Sequence, residues 1–331
     1  MNQSIRVGVV GVGSIGKNHA RICAAMKEAK FAAIYDTNKD VARGIGRQYN
    51  VPVASSLDEF IQLVDAATVA APTNTHYEIG SRLLQAGKHV LIEKPITETP
   101  KQAEELVRLA RERSLILQVG HVERFNPVMS ALQERLTRPV FIEVHRLSQY
   151  PFRSLEIGVV LDLMIHDLEI ILHLVRSPVK SIDAVGLPAL STTEDIANAR
   201  IRFQSGCVAN LTASRISPEK MRKIRVFQAD PQTYLSLDYH NQVGEIHRLV
   251  NGQITRDKVP IEKDEPLKRE LQSFVECARR GQQPLVSGYE GTAALELAIK
   301  ITELVEENLK LVRAGGEGAE AVEASEVRSE K

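Results

Sequence analysis

The sequence predicts an α/β protein of two domains: a doubly wound parallel sheet first, then an α+β domain on a mostly antiparallel open sheet. Three observations carry this. Short apolar runs alternate with helical patterns over the first ~120 residues, as a parallel sheet covered on both faces requires. A glycine-rich turn closes the first of those runs. Beyond His121 the pattern changes to period-two alternation with few helices. At 331 residues the chain is long enough for two cores.

The strands expected in the first domain, 1–120, are Ile5–Val10, Phe31–Tyr35, Ala66–Ala71, Val90–Ile92 and Ile116–Val119. Helices are expected over Lys17–Ala29, Lys39–Tyr49, Ser56–Val64, Tyr77–Ala86 and Lys101–Ser114. Thr99-Pro100 supplies an N-cap followed by proline at the first helical position. In the second domain, 121–313, strands are expected over Val140–Ser148, Ala197–Ala213, Ile224–Ala229 and Tyr234–Tyr239. Helices there fall at Val159–Val175, Leu267–Arg280 and Gly291–Leu311. Residues 314–331, rich in Gly, Ala and Glu, read as a disordered tail. No internal repeat is visible.

Composition removes several functional classes. Lys+Arg 42 against Asp+Glu 42 gives no global field for nucleic acid or an anionic membrane. No basic stripe or aromatic platform for nucleic acid stands out. No apolar run approaches the ~18 residues of a membrane helix, and the N-terminus reads directly into a strand with no signal peptide. Cys23, Cys207 and Cys277 have no paired spacing, which argues against a disulfide framework or a metal site and suits a reducing cytoplasm.

The first strand runs into Gly11-Val12-Gly13-Ser14-Ile15-Gly16, and a helical pattern follows. In a G-x-G-x-x-G turn the first glycine makes the tight turn and the second lets backbone approach a pyrophosphate. The third permits close packing of helix on strand. The helix N-terminus then offers free N–H donors to the phosphates. Asp36 lies 20 positions after Gly16, at the end of the second strand. Its carboxylate suits the adenosine ribose hydroxyls and repels a 2′-phosphate, so the reading is a Rossmann domain for NAD rather than NADP.

Two segments carry candidate chemistry. In His89-Val90-Leu91-Ile92-Glu93-Lys94-Pro95 an apolar strand ends in a charged pair, and ligands of open α/β sheets sit beyond the carboxyl ends of strands. Lys94 is therefore either catalytic or a solvated surface lysine. In Leu161–Glu169, Asp162 and His166 are i,i+4 neighbours among apolar residues. A carboxylate beside an imidazole can fix its tautomer and make it a general base. The alternative readings are a buried structural ion pair and a metal pair, the latter lacking an obvious third ligand nearby.

Together these pieces resemble the Gfo/Idh/MocA oxidoreductase family over residues 5–310. The resemblance rests on the strand–glycine turn–helix start, Ala70-Ala71-Pro72-Thr73-Asn74-Thr75-His76, and Glu93-Lys94-Pro95. Gly120-His121-Val122-Glu123-Arg124-Phe125-Asn126-Pro127 and Asp162-x-x-x-His166 complete it. It implies an N-terminal Rossmann domain and an α/β domain whose open sheet mediates a homo-oligomer, dimer or tetramer. It implies that Pro72, Thr73, Asn74, His76, Glu93 and Lys94 line the cofactor together with Val12, Ser14, Ile15 and the glycines. It also implies that Lys94, Asp162 and His166 surround the sugar carbon being oxidised.

A narrower resemblance links residues 120–127, Tyr150-Pro151-Phe152-Arg153 and Ile157–Asp167 to the UDP-N-acetylglucosamine 3-dehydrogenase subgroup. These proteins oxidise the 3-hydroxyl to a ketone, which a partner aminotransferase converts to an amine. The chain departs from the subgroup pattern around Gln149–Ser154, where a proline-containing step is shortened. On this resemblance Arg124, Asn126 and Arg153 join Asp162 and His166 at the nucleotide-sugar substrate, the arginines suiting a diphosphate. Either His166 or Lys94 removes the hydroxyl proton, with His166 favoured as base. The rival expectations are an inositol or free-sugar dehydrogenase, and a non-enzymatic NAD-sensing protein.

Overall fold

The computed structural model describes residues 4–150 and 157–329, with side chains described as far as 311. The chain forms two compact units, Met1–Ser130 with Glu262–Glu296, and Ala131–Ile261 with Leu297–Lys331.

The first unit is built on a five-stranded parallel sheet in the order β2-β1-β3-β4-β5. Its strands are β1 Ile5–Val10, β2 Ala29–Tyr35, β3 Ala66–Val69, β4 His89–Glu93 and β5 Leu117–Gly120. Helices α1 Gly16–Ala25, α2 Lys39–Tyr49, α3 Leu57–Leu63, α4 Thr73–Gln85 and α5 Pro100–Glu112 alternate with them. Local chemistry sets the helix starts. Asn38 caps α2 by accepting from the Asp40 and Val41 N–H groups. Thr99 and Gln102 form a reciprocal capping box at α5, with Pro100 as its first residue.

The division of the chain differs from the expected break at 120/121. Helix α8, Pro266–Arg280, lies on the first unit and not with the residues before it in sequence. Its Leu271, Phe274, Val275 and Cys277 share one hydrophobic cluster with Val7, Val9, Ile22 and Leu91. Apolar burial on the sheet face is the physical reason for this return. The start of α9, Gly288–Ser329, also belongs there: a Cβ on Gly291 would come within 2.5 Å of Val119. The backbone of α9 runs on through the expected tail 314–331, whose side chains and final two residues lie outside the description.

The second unit carries an eight-stranded sheet ordered β13-β12-β11-β10-β6-β9-β8-β7. It comprises β6 Pro139–Leu147, β7 Val179–Leu187, β8 Ile196–Phe203, β9 Val208–Ser214, β10 Met221–Ala229, β11 Gln232–Asp238, β12 Val243–Val250 and β13 Gln253–Val259. The pairing is antiparallel except β6 with β9. The run expected as one strand, 197–213, is two, because the chain turns at Gly206 with φ +89. Strands alternate inward residues such as Ile224 and Val226 with outward ones. On the outward side Phe141, Phe227, Tyr234 and His247 stack across four strands, with ring centroids 5.5, 4.8 and 5.1 Å apart in that order. Helix α6, Pro127–Gln133, and helix α7, Ile165–Val175, complete the elements.

Candidate functional site

In the first unit the glycine turn closes β1 and leads straight into α1. Gly11 has φ +79, and its N–H donates to Tyr35 O at 2.8 Å. A Cβ on Gly11 would lie 2.8 Å from Ala71 N, so the turn after β1 meets the turn after β3. A Cβ on Gly16 would lie 1.8 Å from Gly11 O, whereas one on Gly13 would meet nothing within 4 Å. Two glycines are thus required by packing, and the middle one faces open space. No side chain among the described residues caps the N-terminus of α1. Lys17, Asn18 and His19 N–H turn back onto the Gly13 and Ile15 carbonyls, so what this helix end offers a phosphate is its positive dipole end. Val12 is buried, while Ser14 and Ile15 are exposed beside Gly13.

Asp36 follows β2. Its Oδ2 accepts from Val12 N–H and its Oδ1 from Asn38 N–H, each at 2.8 Å. A carboxylate has lone pairs beyond these two, so it can still receive ribose hydroxyls. The glycines, a helix N-terminus without a side-chain cap and an anchored acid come together in one place. The residues present fit NAD.

The turn after β3 holds Pro72, Thr73 and Asn74, of which Pro72 and Asn74 are exposed. His76 is 1% exposed, with Nδ1 2.9 Å from Pro95 O and Nε2 2.8 Å from Ala71 O. Burial lowers its pKa against the pull of those carbonyls. A neutral ring donates to one carbonyl, so His76 ties the Ala71 turn to the Lys94–Pro95 turn and is not presented to a ligand.

Strand β4 delivers Glu93 and then Lys94, which precedes a cis proline. Glu93 turns inward: Oε1 lies 3.0 Å from His19 Nε2 of α1, and Oε2 accepts from Lys94 N–H at 3.3 Å. Gly120 at the end of β5 leaves room for this carboxylate, since a Cβ there would stand 2.9 Å from it. His121 follows, and burial pushes its pKa down to about 3, aided by the charges of Lys94 and Arg124. A 3₁₀ turn, Val122–Phe125, carries Glu123 and Arg124. Asn126 then donates Nδ2 to Glu123 Oε2 at 3.2 Å. The ends of β4 and β5 thus carry two cations, Lys94 and Arg124, around a neutral imidazole.

In the second unit Asp162 occupies a backbone form the sequence did not signal, just before the helix that bears His166. Val160–Met164 is a π-helical turn, and α7 begins at Ile165. Asp162 therefore sits in a widened turn one step before the regular helix bearing His166. Such single-turn bulges occur often at functional sites. Both side chains are partly buried. The next residue, Asp167, is fully buried and takes a two-pronged bond from Arg146 of β6, at 2.7 and 2.8 Å, which fixes α7 to the sheet.

The start of the π turn is anchored by residues that sequence reasoning missed. Arg215, 1% exposed, donates to Ile157 O at 2.6 Å, to Asp195 Oδ1 at 2.8 Å and to Ser191 and Thr193, both at 2.8 Å. Glu194 accepts from Val160 N–H at 3.2 Å. These partners are far apart in sequence and follow no spacing rule, so no local signal exposes them. The substrate candidate Arg153 lies outside the described residues, as do its neighbours 151–156.

A parallel sheet ending in a glycine turn, a helix without a side-chain cap and an acid at the second strand define a dinucleotide-binding domain. The comparisons make that specific. Residues 5–121 match the Gfo/Idh/MocA oxidoreductase family's NAD-binding Rossmann fold, and 133–230 match its C-terminal domain. The chain belongs to the Gfo/Idh/MocA family and is an NAD-dependent oxidoreductase. It is 33% identical over 309 residues to UDP-N-acetylglucosamine 3-dehydrogenase of Acidithiobacillus ferrooxidans, covering 91% of this chain and 97% of that protein. A solved structure of that enzyme superposes with a TM-score of 0.87, covering 92% of this chain and 98% of the other. Scyllo-inositol 2-dehydrogenase (NAD(+)) of Bacillus subtilis is 25% identical, over 91% of this chain and 94% of that protein. Among the described residues no helix is long and apolar enough to cross a membrane.

Proposed function

We propose that the protein oxidises the 3-hydroxyl of UDP-N-acetylglucosamine to a ketone, with NAD as oxidant. The observation that carries this is the pair of cations that follow β4 and β5, Lys94 and Arg124, whose charges both act on His121 at the carboxyl ends of the strands of an NAD-binding sheet. The likeness to the Acidithiobacillus enzyme supplies the choice of sugar.

When bound, NAD would supply the two-electron oxidation, accepting the hydride that leaves the hydroxyl carbon. His166 takes the hydroxyl proton, imidazole being the side chain most often used as a base near neutral pH. Asp162, on the turn just before it, orients the ring. Lys94 holds the hydroxyl oxygen and stabilises the negative charge that develops there. In the alternative assignment Lys94 is the base. Gly11, Val12, Gly13, Ser14, Ile15 and Gly16 hold the pyrophosphate, and Asp36 holds the adenosine ribose. Pro72, Thr73 and Asn74 border the cofactor. Arg124 and Asn126 receive the nucleotide-sugar, its diphosphate facing the arginine.

The ketone product is the substrate class of an aminotransferase, the downstream partner this reading assigns. The aromatic row on the outer sheet face, with exposed Leu249 and Ile254 beside it, supports self-association of the chain through that face. The reading places the enzyme in the cytoplasm, where NAD and nucleotide sugars occur.

The test is a panel of UDP-sugars and free polyols offered with NAD, followed by NADH absorbance. UDP-N-acetylglucosamine is expected to give the highest kcat/KM. The 25%-identical scyllo-inositol enzyme makes inositols the specific alternative. Preferential oxidation of inositols would overturn the nucleotide-sugar reading and keep the family chemistry.

A further inference from the structure

The layer between the first unit's sheet and helices α1 and α8 holds polar atoms that the scheme above does not use. Glu270 of α8 is fully buried, and neither carboxyl oxygen has a hydrogen-bond partner among the described residues. Gln118 of β5 donates Nε2 to the Glu270 carbonyl at 3.2 Å, yet its own Oε1 is unpaired. His19 Nδ1 and Thr68 Oγ1 are buried and unpaired as well. Thr68, Leu91 and Gln118 are register partners across β3, β4 and β5, so their side chains leave the same face of the sheet. Glu93, two residues beyond Leu91, shares that face, and Leu91 packs in one cluster with Leu271 and Phe274 of α8. The unpaired atoms therefore share one layer.

Buried polar groups in native proteins find partners, and several orphans in one layer are the setting in which internal water resides. The charges of the layer are defined. Glu93 is held by His19 Nε2 and by the Lys94 N–H. Elements packed on α8 bring His19 and Arg21 from α1, Arg6 from β1, and Glu123 and Arg124 from the 3₁₀ turn. Arg21 pairs with Glu265 and Arg6 with Asp65, so both cations are engaged elsewhere. Burial first, then the negative charge of Glu93, raises the Glu270 pKa well above the carboxylate range. Two ionised carboxylates in one buried layer repel, and a neutral acid near a carboxylate can donate to it directly or through water.

We propose that Glu270 is a positioning residue: it remains a protonated carboxylic acid and, through internal water shared with Gln118 and His19, holds the Glu93 carboxylate that fixes the backbone at Lys94. The importance of that backbone rests on the reading of Lys94 given above; the proton on Glu270 is tested without any sugar.

Thermal unfolding of the full chain against pH, for wild type and Glu270→Gln, reads the proton. An unfolded glutamate titrates near ~4.3, so wild type loses stability relative to the variant as pH rises above that value. The loss reaches up to about tenfold in the unfolding constant per pH unit and ends where folded Glu270 ionises. Parallel curves overturn the assignment. A protonated-carboxyl band in the infrared spectrum, present in wild type and absent in Glu270→Gln, confirms it independently.

NAD titration reads the positioning. Glu270→Leu is expected to bind NAD about tenfold more weakly, the loss of one buried hydrogen bond, and Glu270→Gln to restore the affinity. Wild-type affinity in the leucine variant, or equal loss in both, overturns the positioning role. If the leucine variant does not fold, Glu270→Met takes its place, with the same expected loss, the same restoration in Glu270→Gln and the same overturning results. Should no sugar be oxidised by the wild type, the function proposed above fails while these measurements still decide Glu270.

Discussion

Asp36 Oδ2 accepts a hydrogen bond from Val12 N–H at 2.8 Å, which ties the end of β2 to the turn that ends β1. The acid expected at the ribose thus also sets the shape of the phosphate turn. Asp36→Asn keeps one acceptor and loses the charge, so NAD binding weakens by about 1.5–3 kcal/mol. The variant also discriminates less against NADP, because the repulsion of a 2′-phosphate is gone. Titration with both cofactors checks this; an unchanged NAD:NADP ratio would remove Asp36 from the ribose.

The glycines separate binding from folding. Gly13→Ala places its methyl in open space, so stability changes by no more than about 0.5 kcal/mol. NAD affinity nevertheless falls at least about tenfold, since the backbone approach is blocked. Gly16→Ala drives a methyl into Gly11 O, and the fold itself loses about 1–3 kcal/mol or more. Paired denaturation and NAD titrations distinguish the two, and a Gly13→Ala protein with normal NAD affinity contradicts the placement of the pyrophosphate.

His121 gives the first unit an acid limit. Buried beside Lys94 and Arg124, it has its pKa pushed down to about 3, while an unfolded histidine titrates near ~6.5. The unfolded chain therefore binds a proton that the folded chain refuses. Stability is whole above pH ~6.5 and falls by up to about 1.4 kcal/mol per unit as pH drops from there toward 3. His121→Gln flattens this part of the curve in a melting series. Identical acid profiles for the two proteins would contradict the shift.

Arg215 bears on the second unit alone. Arg215→Met leaves Asp195 buried without its cation and frees Ile157 O, for a cost of about 3–5 kcal/mol. The π turn carrying Asp162 loosens with it. Turnover falls while NAD affinity holds, measured by kcat and by equilibrium binding at a temperature where the variant remains folded. Weakened NAD binding with unchanged kcat would place the effect elsewhere.

Much of the first unit was legible because its signals are local. β1 and α2 fall on the residues expected, each bounded by its own turn or cap. In the second unit β7, β12 and β13 went unread, β7 because only Ala184 and Gly186 are buried along it, and β12 and β13 because both are largely exposed. The turn between β12 and β13 carried a usable mark: Asn251-Gly252, both at positive φ, is a strong hairpin dipeptide. The glycine turn, Asp36 and Lys94 were readable as motifs, whereas the π turn and the Arg215–Asp195 anchor arise from contacts between distant segments. Helix α8 illustrates the same limit: its amphipathic pattern was plain, but the pattern does not say which sheet it will cover.

The most direct test of the central claim is product identification. Pure protein is incubated with NAD and UDP-N-acetylglucosamine, and the sugar is analysed by mass spectrometry, with Lys94→Ala alongside. The account predicts a 3-keto product lighter by two hydrogens, one NADH per product, and at least about a hundredfold less from Lys94→Ala despite normal NAD binding. An unchanged sugar with the wild type, or full turnover by Lys94→Ala, would contradict it.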